Sequence, residues 1–268
     1  MYPTCAVITG ASSGIGEAFA RELASKKVNL VLVARRKERL EKLAAELSKA
    51  YGISVETIAL DLALPGSAEK LFAASTREGK TIDLLINNAG VGAYRYFLRQ
   101  ELSQHMATIQ LNLVTLTELT HRFSEHMLKH GRPAYIANIA SIAAYQGVPR
   151  FAVYAATKSF VRILSTVLNR ELRGTSLSVT CVCPGGTATE FLESNGQSLK
   201  SGKSGMMMSA EEVVKISLKG IFARKTIVVP GLLNKIACLA PRLLPLNFAM
   251  TLAEVAMSSA VQEKISLK

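Results

Sequence analysis

Short apolar runs alternate along the chain with segments whose apolar positions repeat every three or four residues. The apolar runs are CAVIT, VNLVLVA, ISVETIAL, DLLIN, AYIANIAS, LSVTCVC and TIVVP. Several are apolar at successive positions, as expected for strands that helices cover on both faces. Segments such as ERLEKLAAELSKA and AEEVVKISLKGIF have helical spacing. Strands that alternate with helices predict an α/β fold with a doubly wound, parallel sheet.

The chain shows one long unit followed by a shorter extension. It has 268 residues, of which 49% are apolar and 19% charged, and it has no repeat or long linker. We therefore expect a single domain over residues 1–230, with residues 231–268 packed on it as an apolar and basic extension. The polar stretch ESNGQSLKSGKSGMMMS (193–209) predicts a substrate loop over about 190–209.

Charge and cysteine content narrow the partners and the compartment. The net charge of +12 favours anionic partners, which include nucleic acid, a phosphorylated cofactor and an acidic membrane surface. No apolar run is long enough to span a bilayer, and the first strand begins too early to leave room for a signal peptide. The four cysteines lack framework or metal-site spacing, although Cys181 and Cys183 remain conceivable ligands. A cytoplasmic protein with reduced thiols is the prediction.

A glycine-rich turn directly follows the first strand. In TGASSGIGEAFARELA, Gly10, Gly14 and Gly16 open a helix, and an anion can approach free N–H groups at such a helix start. The spacing differs from GxGxxG, and the absence of a following Lys-Ser/Thr pair excludes a triphosphate P-loop. A dinucleotide pyrophosphate fits this turn, whereas a glycine turn without a ligand is the alternative.

The end of the second strand indicates which dinucleotide binds. NAD-binding folds place an acidic residue there for the ribose 2′-hydroxyl, while a basic residue accommodates the 2′-phosphate of NADP. Here Ala34 is followed by Arg35 and Arg36, whose guanidinium groups suit a phosphate. The sequence therefore predicts NADP(H). The alternative is that both arginines only begin a solvated helix.

Two polar residues four positions apart suggest proton chemistry. In VYAATKSFV, the helical spacing places Lys158 beside the ring of Tyr154. A nearby cation stabilises a phenolate, and a protonated Tyr154 can give its proton to a carbonyl oxygen that receives hydride. Ser141, at the end of an upstream strand, can donate a hydrogen bond to the developing alkoxide. The alternatives are that Ser141 is an ordinary strand-to-loop cap and that Tyr154 with Lys158 is an ordinary amphipathic pair.

Taken together, these motifs resemble the short-chain dehydrogenase/reductase family over nearly the whole chain. The resemblance is carried by motifs in family order and spacing, namely TGASSGIG, Asp61 with Leu62, NNAG (87–90), Asn112, Ser141, YAATK (154–158) and PGGTAT (184–189). It implies a seven-stranded Rossmann-type sheet and hydride transfer to or from a carbonyl carbon. This chain has Ser13 where many NADP-preferring members carry a basic residue, so its preference depends on Arg35 and Arg36.

The resemblance also implies residue roles. Tyr154 would be the acid/base, Ser141 would orient the carbonyl, Lys158 would tune Tyr154 and hold the nicotinamide ribose, and Asn112 would anchor a water. Asp61 and Leu62 would frame the adenine, and Thr187 and Thr189 would bind the carboxamide. The expected cofactor contacts, besides Tyr154 and Lys158, are Gly10, Ser12, Ser13, Gly14, Ile15, Gly16, Arg35, Arg36, Asp61, Leu62, Asn88, Ala89, Gly90, Pro184, Gly185, Thr187 and Thr189.

The predicted substrate is an apolar ketone, such as a 3-oxoacyl or steroid-like compound. Apolar residues of the substrate loop and likeness to fatty-acyl and steroid ketone reductases motivate it. The run Met206 to Met208 can line an adaptable pocket or serve as packing filler. The apolar, basic tail can contact an anionic membrane peripherally, but packing over the substrate loop or against another subunit is favoured. Family resemblance implies a homodimer or homotetramer.

Two rival functions remain at this point. The first is a nucleotide-sensing protein on the same scaffold, because a fold does not fix a function. Such proteins can lose the Tyr/Lys pair, which this chain retains. The second is nucleic-acid binding, which the charge of +12 suggests but no recognition motif or aromatic platform supports. The sequence therefore predicts an oxidoreductase that binds neither a metal ion nor a nucleic acid.

Overall fold

The computed structural model describes residues 2–187, 189–191, 197–199 and 207–263, with only the backbone described at 197–199, 240, 242 and 259–263. The strands are β1 Cys5–Thr9, β2 Asn29–Ala34, β3 Val55–Ala59, β4 Leu84–Asn87, β5 Ala134–Ile139, β6 Leu177–Val182, β7 Gln197–Leu199, β8 Ile227–Val228 and β9 Val261–Glu263. The helices are α1 Gly14–Ser25, α2 Lys37–Tyr51, α3 Ser67–Ser75, α4 Leu102–Ile109, α5 Leu116–His130, α6 Ala152–Glu171, α7 Ala210–Phe222, α8 Leu232–Leu243 and α9 Leu246–Ala260.

Seven strands form one parallel sheet in the order β3-β2-β1-β4-β5-β6-β8. Every residue of β1, β4, β5 and β6 is buried, because helices cover both faces of these strands. In β1, Ala6 and Ile8 pack with α1, α2 and α7, while Cys5 and Val7 pack with α3 and α5. The predicted doubly wound fold is confirmed.

The order of the strands reverses between β1 and β4, which are neighbours although two strands separate β1 from β4 in sequence. Connections leave the sheet in opposite directions on either side of this pair. Ligands of open α/β sheets bind in the crevice that forms beyond the carboxyl ends of the strands at such a reversal. The glycine turn after β1 and the segment after β4 lie at this position.

Two local features differ from the sequence expectations. The stretch 193–209 was predicted to be loop, yet β7 within it pairs antiparallel with β9 near the C-terminus. Pro241 lies inside α8, which continues to Leu243 although proline usually ends a helix. Pairing across more than sixty residues and tolerance of proline near a helix end are set by tertiary context, which the local pattern does not contain. Met206 and Leu192 lie outside the described residues.

Among the described residues, no helix is long and apolar enough to cross a membrane. The helices of the extension are instead short and pack partly on the main sheet unit. A Cβ built on Gly147 would lie 3.6 Å from Met250 of α9, and Ala253 is buried against the loop that precedes α6. The boundary between 230 and 231 stays a prediction.

Candidate active site

The glycine turn adopts a conformation that requires its glycines. Gly10 and Gly14 have φ angles of 67° and 56°, in the left-handed region that side chains disfavour. A Cβ at Gly16 would lie 2.2 Å from the carbonyl oxygen of Gly10, so the turn and the start of α1 pack without room for a side chain. This leaves the helix start close to the crevice, as an anionic ligand requires.

The segment after β4 is hydrogen-bonded to the glycine turn. Thr9 Oγ1 accepts hydrogen bonds from the backbone N–H groups of Asn88 and Ala89, each at 2.9 Å. In return, Asn88 Nδ2 donates to the carbonyl oxygen of Thr9 at 3.0 Å. These bonds connect the ends of two neighbouring strands, and they place the predicted residues Asn88, Ala89 and Gly90 along one wall of the crevice.

Arg36, Arg39 and Glu190 form a charged cluster beside the glycine turn, called here the basic corner. Arg36 Nε donates to Ser12 Oγ at 3.1 Å, and Arg36 Nη2 donates to Ser13 Oγ at 2.7 Å. Arg35 points elsewhere, with Nη1 4.0 Å from Asp61 Oδ2. Glu190 forms ion pairs with Arg36 in this corner. The guanidinium group of Arg36 already binds one anion, the Glu190 carboxylate, so its N–H donors also suit a phosphate group. The residues of the corner therefore fit a phosphorylated dinucleotide.

Tyr154, Ser141 and Lys158 converge at the ends of β5 and α6. The side chains of Ser141 and Tyr154 are hydrogen-bonded to each other, and Ser141 Oγ also accepts from the backbone N–H of Ala143 at 3.1 Å. Lys158 is 5% exposed. Its Nζ donates to the carbonyl oxygen of Ile139 at 2.8 Å and lies 5.6 Å from the centre of the Tyr154 ring. The helix therefore brings the predicted pair together.

Burial governs the ionisation of both groups. It raises the pKa of the Tyr154 hydroxyl to about 12, and the hydrogen bond from Ser141 offsets only part of this increase. Burial also lowers the pKa of Lys158 to about 8. Lys158 Nζ donates to the carbonyl oxygen of Ile139, and its expected effect on the pKa of Tyr154 stays a prediction. At neutral pH Tyr154 is protonated and can donate.

Asn112 lies in a π-helical turn, Gln110–Thr115, between α4 and α5. It is 1% exposed. Its Oδ1 accepts from the N–H of Val91 at 3.0 Å, and its Nδ2 donates to Val91 O at 2.9 Å and to Thr157 Oγ1 at 3.1 Å. The bulge, which the periodicity did not indicate, thus joins the wall after β4 to α6. Single π turns are frequent at functional sites.

Glycines in the segment after β4 allow its backbone to approach the polar cluster formed by Ser141, Tyr154 and Lys158. A Cβ on Gly90 would lie 3.3 Å from Lys158 Nζ, and one on Gly92 would lie 2.2 Å from Tyr154 Cδ2. Any side chain at residue 92 would displace the Tyr154 ring. The sequence analysis missed Gly92, although its position two residues after the NNAG motif was a usable signal.

The remaining predicted contacts are distributed around the crevice. The carbonyl oxygen of Pro184 accepts from Ile142 N at 2.9 Å, beside Ser141. Thr189 approaches the glycine turn, at 3.0 Å from a Cβ built on Gly14, while Thr187 Oγ1 donates to Gly185 O at 3.1 Å. Leu62 is buried and Ile15 packs at the edge of the core. Their assignment as cofactor contacts stays a prediction.

Apolar side chains also pack around the ring of Tyr154. The rings of Phe151 and Phe191 lie 4.9 Å and 5.7 Å from the Tyr154 ring. Ala253 and Met257 of α9 pack in the same cluster, together with Tyr94 and Val148. The C-terminal extension thus contributes directly to the surroundings of the polar cluster.

Sequence reasoning missed three further residues of the site. Thr157 Oγ1 donates to Tyr154 O at 2.7 Å and accepts from Asn112, and it lies within the quoted YAATK motif. Arg39 and Glu190 belong to the basic corner. Arg39 was visible as the third arginine after the second strand, but no local signal brings Glu190 to a helix more than 150 residues away.

The site holds no concentration of metal ligands. Within the part of the chain that the structure describes, no group of three His, Cys, Asp or Glu side chains could hold a metal ion. Cys181 and Cys183 are buried, with their Sγ atoms 3.6 Å apart on one face of β6. They belong to an apolar cluster with Ala140 and Ala144, against which Tyr145 packs.

Known protein families account for this geometry. The family model described as short chain dehydrogenase matches residues 4–200, which span the glycine turn, the wall after β4, Ser141 and the Tyr154/Lys158 pair. The chain belongs to the short-chain dehydrogenase family. The predicted family and fold are confirmed, and the protein is an oxidoreductase, so catalysis is favoured over nucleotide sensing alone.

Several members of the short-chain dehydrogenase family match along most of the chain. A 7beta-hydroxysteroid dehydrogenase of Collinsella aerofaciens is 31% identical, over 81% of this chain and 78% of the relative. A very-long-chain 3-oxoacyl-CoA reductase of Mus musculus is 29% identical, over 88% of this chain and 75% of the relative. A solved short-chain dehydrogenase from Sphingobium yanoikuyae in complex with NADPH has 32% identity and a TM-score of 0.78, covering 98% of both chains.

Proposed function

We propose that the protein is an NADP(H)-dependent carbonyl reductase that acts on apolar ketones. The observation that carries the proposal is the convergence of Ser141, a protonated Tyr154 and a buried Lys158 at the end of the crevice that begins at the glycine turn. The similarity to an enzyme solved with NADPH supports the cofactor, as do the arginines after β2.

Each polar residue has a role that follows from its position. Bound NADPH would supply the hydride to the carbonyl carbon. Tyr154 gives its proton to the carbonyl oxygen, and Ser141 orients that oxygen by a hydrogen bond. Lys158 stabilises negative charge on the Tyr154 oxygen once the proton has left, and its Nζ, close to Gly90, would hold a ribose hydroxyl of the bound cofactor. Asn112 fixes that wall relative to α6.

The substrate class follows from the surroundings of Tyr154. Phe151, Phe191 and Met257 present apolar surface beside the phenol. Apolar side chains favour a ketone flanked by hydrocarbon, since transfer of such a group from water is favourable. Relatives named for a hydroxysteroid and for a very-long-chain 3-oxoacyl-CoA support a steroid-like or 3-oxoacyl substrate for this chain.

Substitution of Tyr154 tests the proposal. Tyr154→Phe retains the ring and its packing but removes the proton donor, so ketone-dependent NADPH oxidation should fall by about 100-fold or more. NADPH binding, followed by fluorescence titration, should change little. The assay uses ketones of graded chain length, steroids and acyl thioesters. Tyr2→Phe, at an exposed position, is the matched control. Turnover within a few-fold of wild type would show that the proton comes from another group.

We further propose that the protein works in the cytoplasm as a homo-oligomer. Phe160, Ile163 and Val167 form an exposed apolar row on α6, and Leu102 and Met106 are exposed on α4. Residues spaced by three and four positions share one helix face, and such a face is suited to another subunit.

The extension suggests a second contact, with a membrane surface. Leu232, Leu233, Ile236 and Leu239 are exposed on one side of α8. From Lys219 onward the chain has seven Lys or Arg residues and two Glu residues, a net charge of +5. We propose that this face of α8 binds an anionic membrane peripherally.

A further inference from the structure

Glu190 occupies the basic corner beside the glycine turn. Its Oε2 accepts a hydrogen bond from Arg36 Nη1 at 2.8 Å, and both carboxylate oxygens accept from Arg39 Nη1, at 2.8 Å and 2.9 Å. The same Arg36 side chain contacts Ser12 and Ser13 of the glycine turn. A carboxylate of the protein itself therefore occupies the guanidinium donors that face the crevice.

The contact joins two distant parts of the chain. Arg36 precedes α2 at the end of β2, whereas Glu190 follows the Thr189 position that lies against Gly14. All three charged side chains are about half exposed: Arg36 at 42%, Arg39 at 51% and Glu190 at 43%. Ion pairs with this exposure are weak, so a stronger anion in solution can replace the carboxylate.

A phosphate monoester is such an anion. It carries a charge of about −1.5 to −2 at neutral pH and offers three acceptor oxygens, whereas a carboxylate carries one charge and two oxygens. The two arginines lower the pKa of Glu190, so its side chain is an anion at neutral pH and competes as one. A ribose hydroxyl, by contrast, carries no charge with which to displace Glu190.

We propose that Glu190 is an internal competitor for the 2′-phosphate of NADP(H), and that Arg39 binds this phosphate together with Arg36. The proposal rests on the NADP(H) assignment above. It implies that the 2′-phosphate must break the Glu190 pairs in order to bind, while NAD(H) leaves them in place. Glu190 therefore narrows the preference for NADP(H) that the arginines create.

Calorimetric titration tests this with ligands that differ only in the phosphate. Adenosine 2′,5′-bisphosphate and adenosine 5′-monophosphate are titrated into wild type, Glu190→Gln and Glu38→Gln. Glu38→Gln is the matched control. Glu38 is an exposed carboxylate close in sequence to Arg36 and Arg39, and among the described residues it forms no ion pair with either arginine. Glu190→Gln should bind the bisphosphate about three- to fivefold more tightly, as expected for removal of exposed ion pairs.

The monophosphate should bind Glu190→Gln and wild type equally, and Glu38→Gln should match wild type for both ligands. The gain for the bisphosphate should disappear when Arg36→Ala and Arg39→Ala are combined with Glu190→Gln. Unchanged or weaker bisphosphate binding by Glu190→Gln would overturn the inference, as would an equal gain for both ligands. If wild type and all variants bind the bisphosphate and the monophosphate equally, the NADP(H) assignment fails as well. If wild type prefers the bisphosphate and Glu190→Gln leaves that preference unchanged, only the inference about Glu190 is contradicted.

Discussion

Lys158 places a basic group where the protein has little water to solvate a charge. Its side chain lies between β5 and α6, and burial lowers its pKa from 10.5 to about 8. The protonated form is therefore less stable in the folded protein than in the unfolded chain. A shift of this size corresponds to about 3 kcal/mol below the lowered pKa. The proposed role of Lys158 therefore comes at the expense of stability.

This cost predicts how stability depends on pH. Between pH 8 and pH 10.5 the unfolded chain holds the Lys158 proton and the folded protein does not, so this residue makes stability rise with pH over that window. Lys158→Met removes the effect. Its unfolding free energy relative to wild type should fall by about 3 kcal/mol from pH 7 to above pH 10, as measured by urea titration.

The exposed Lys215 of α7 provides the control for that series, since Lys215→Met makes the same substitution at the surface. The prediction concerns the difference between two curves because Tyr154 and Cys5 have raised pKa values and also titrate at high pH. Parallel curves for Lys158→Met and wild type would contradict it.

At the residue scale, the sequence predicted the chemical groups better than their partners. Tyr154, Lys158 and Ser141 were predicted from spacing and strand position, and the structure brings them together. The sequence did not distinguish Arg35 from Arg36, because both follow the same strand and only the direction of each side chain separates them. Nor could it predict Ile139 as the partner of Lys158, since a backbone carbonyl has no sequence signature.

At the scale of elements, α6 serves two surfaces. One side carries Tyr154 and Lys158 into the crevice, and the opposite side exposes Phe160, Ile163 and Val167. The period of the pattern indicated this helix, but the π turn at Asn112 was not predictable. The π turn depends on hydrogen bonds between the Asn112 side chain and the backbone of Val91. Val91 is distant in sequence, so local helix propensity contains no information about these bonds.

The exposed row of α6 predicts the assembly state. Wild type should have a mass in solution of at least twice the 28.9 kDa of one chain. Ile163→Lys places a charge in the proposed subunit contact and should shift the protein to the monomer mass, as measured by light scattering after size exclusion. Ile216→Lys, at an exposed site on α7, should leave the mass unchanged. A monomeric wild type would rule out the proposed contact.

At the scale of the whole molecule, the excess of positive charge should direct the protein to anionic surfaces. The net charge is +12, and exposed leucines of α8 accompany the basic residues of the extension. Binding to vesicles should therefore combine electrostatic attraction with burial of apolar side chains. Both contributions are accessible to experiment.

Cosedimentation with vesicles separates these contributions. Vesicles of phosphatidylcholine and phosphatidylserine should retain the protein at low salt, while phosphatidylcholine vesicles should not, and added salt should weaken binding. Leu233→Asp should reduce the bound fraction several-fold. Leu64→Asp, at a similarly exposed site before α3, serves as the control. Equal retention by both lipid compositions, or equal losses for the two variants, would refute the membrane contact.

The overall architecture followed from the alternation of strands and helices, because both faces of the sheet require apolar runs of a recognisable kind. What remained unpredictable joins parts of the molecule far apart in sequence. The β7–β9 pair and the Glu190–Arg36 contact each depend on the folded arrangement, and neither has a periodicity of its own.

The packing of α9 beside Tyr154 brings the C-terminal extension to the proposed proton donor. The crevice is lined by residues from the glycine turn after β1 to Glu190, whereas Ala253 and Met257 of α9 pack beside the phenol. Substitutions at these two residues should therefore change which ketones fit beside the phenol, while the glycine turn and Arg36 keep their contacts.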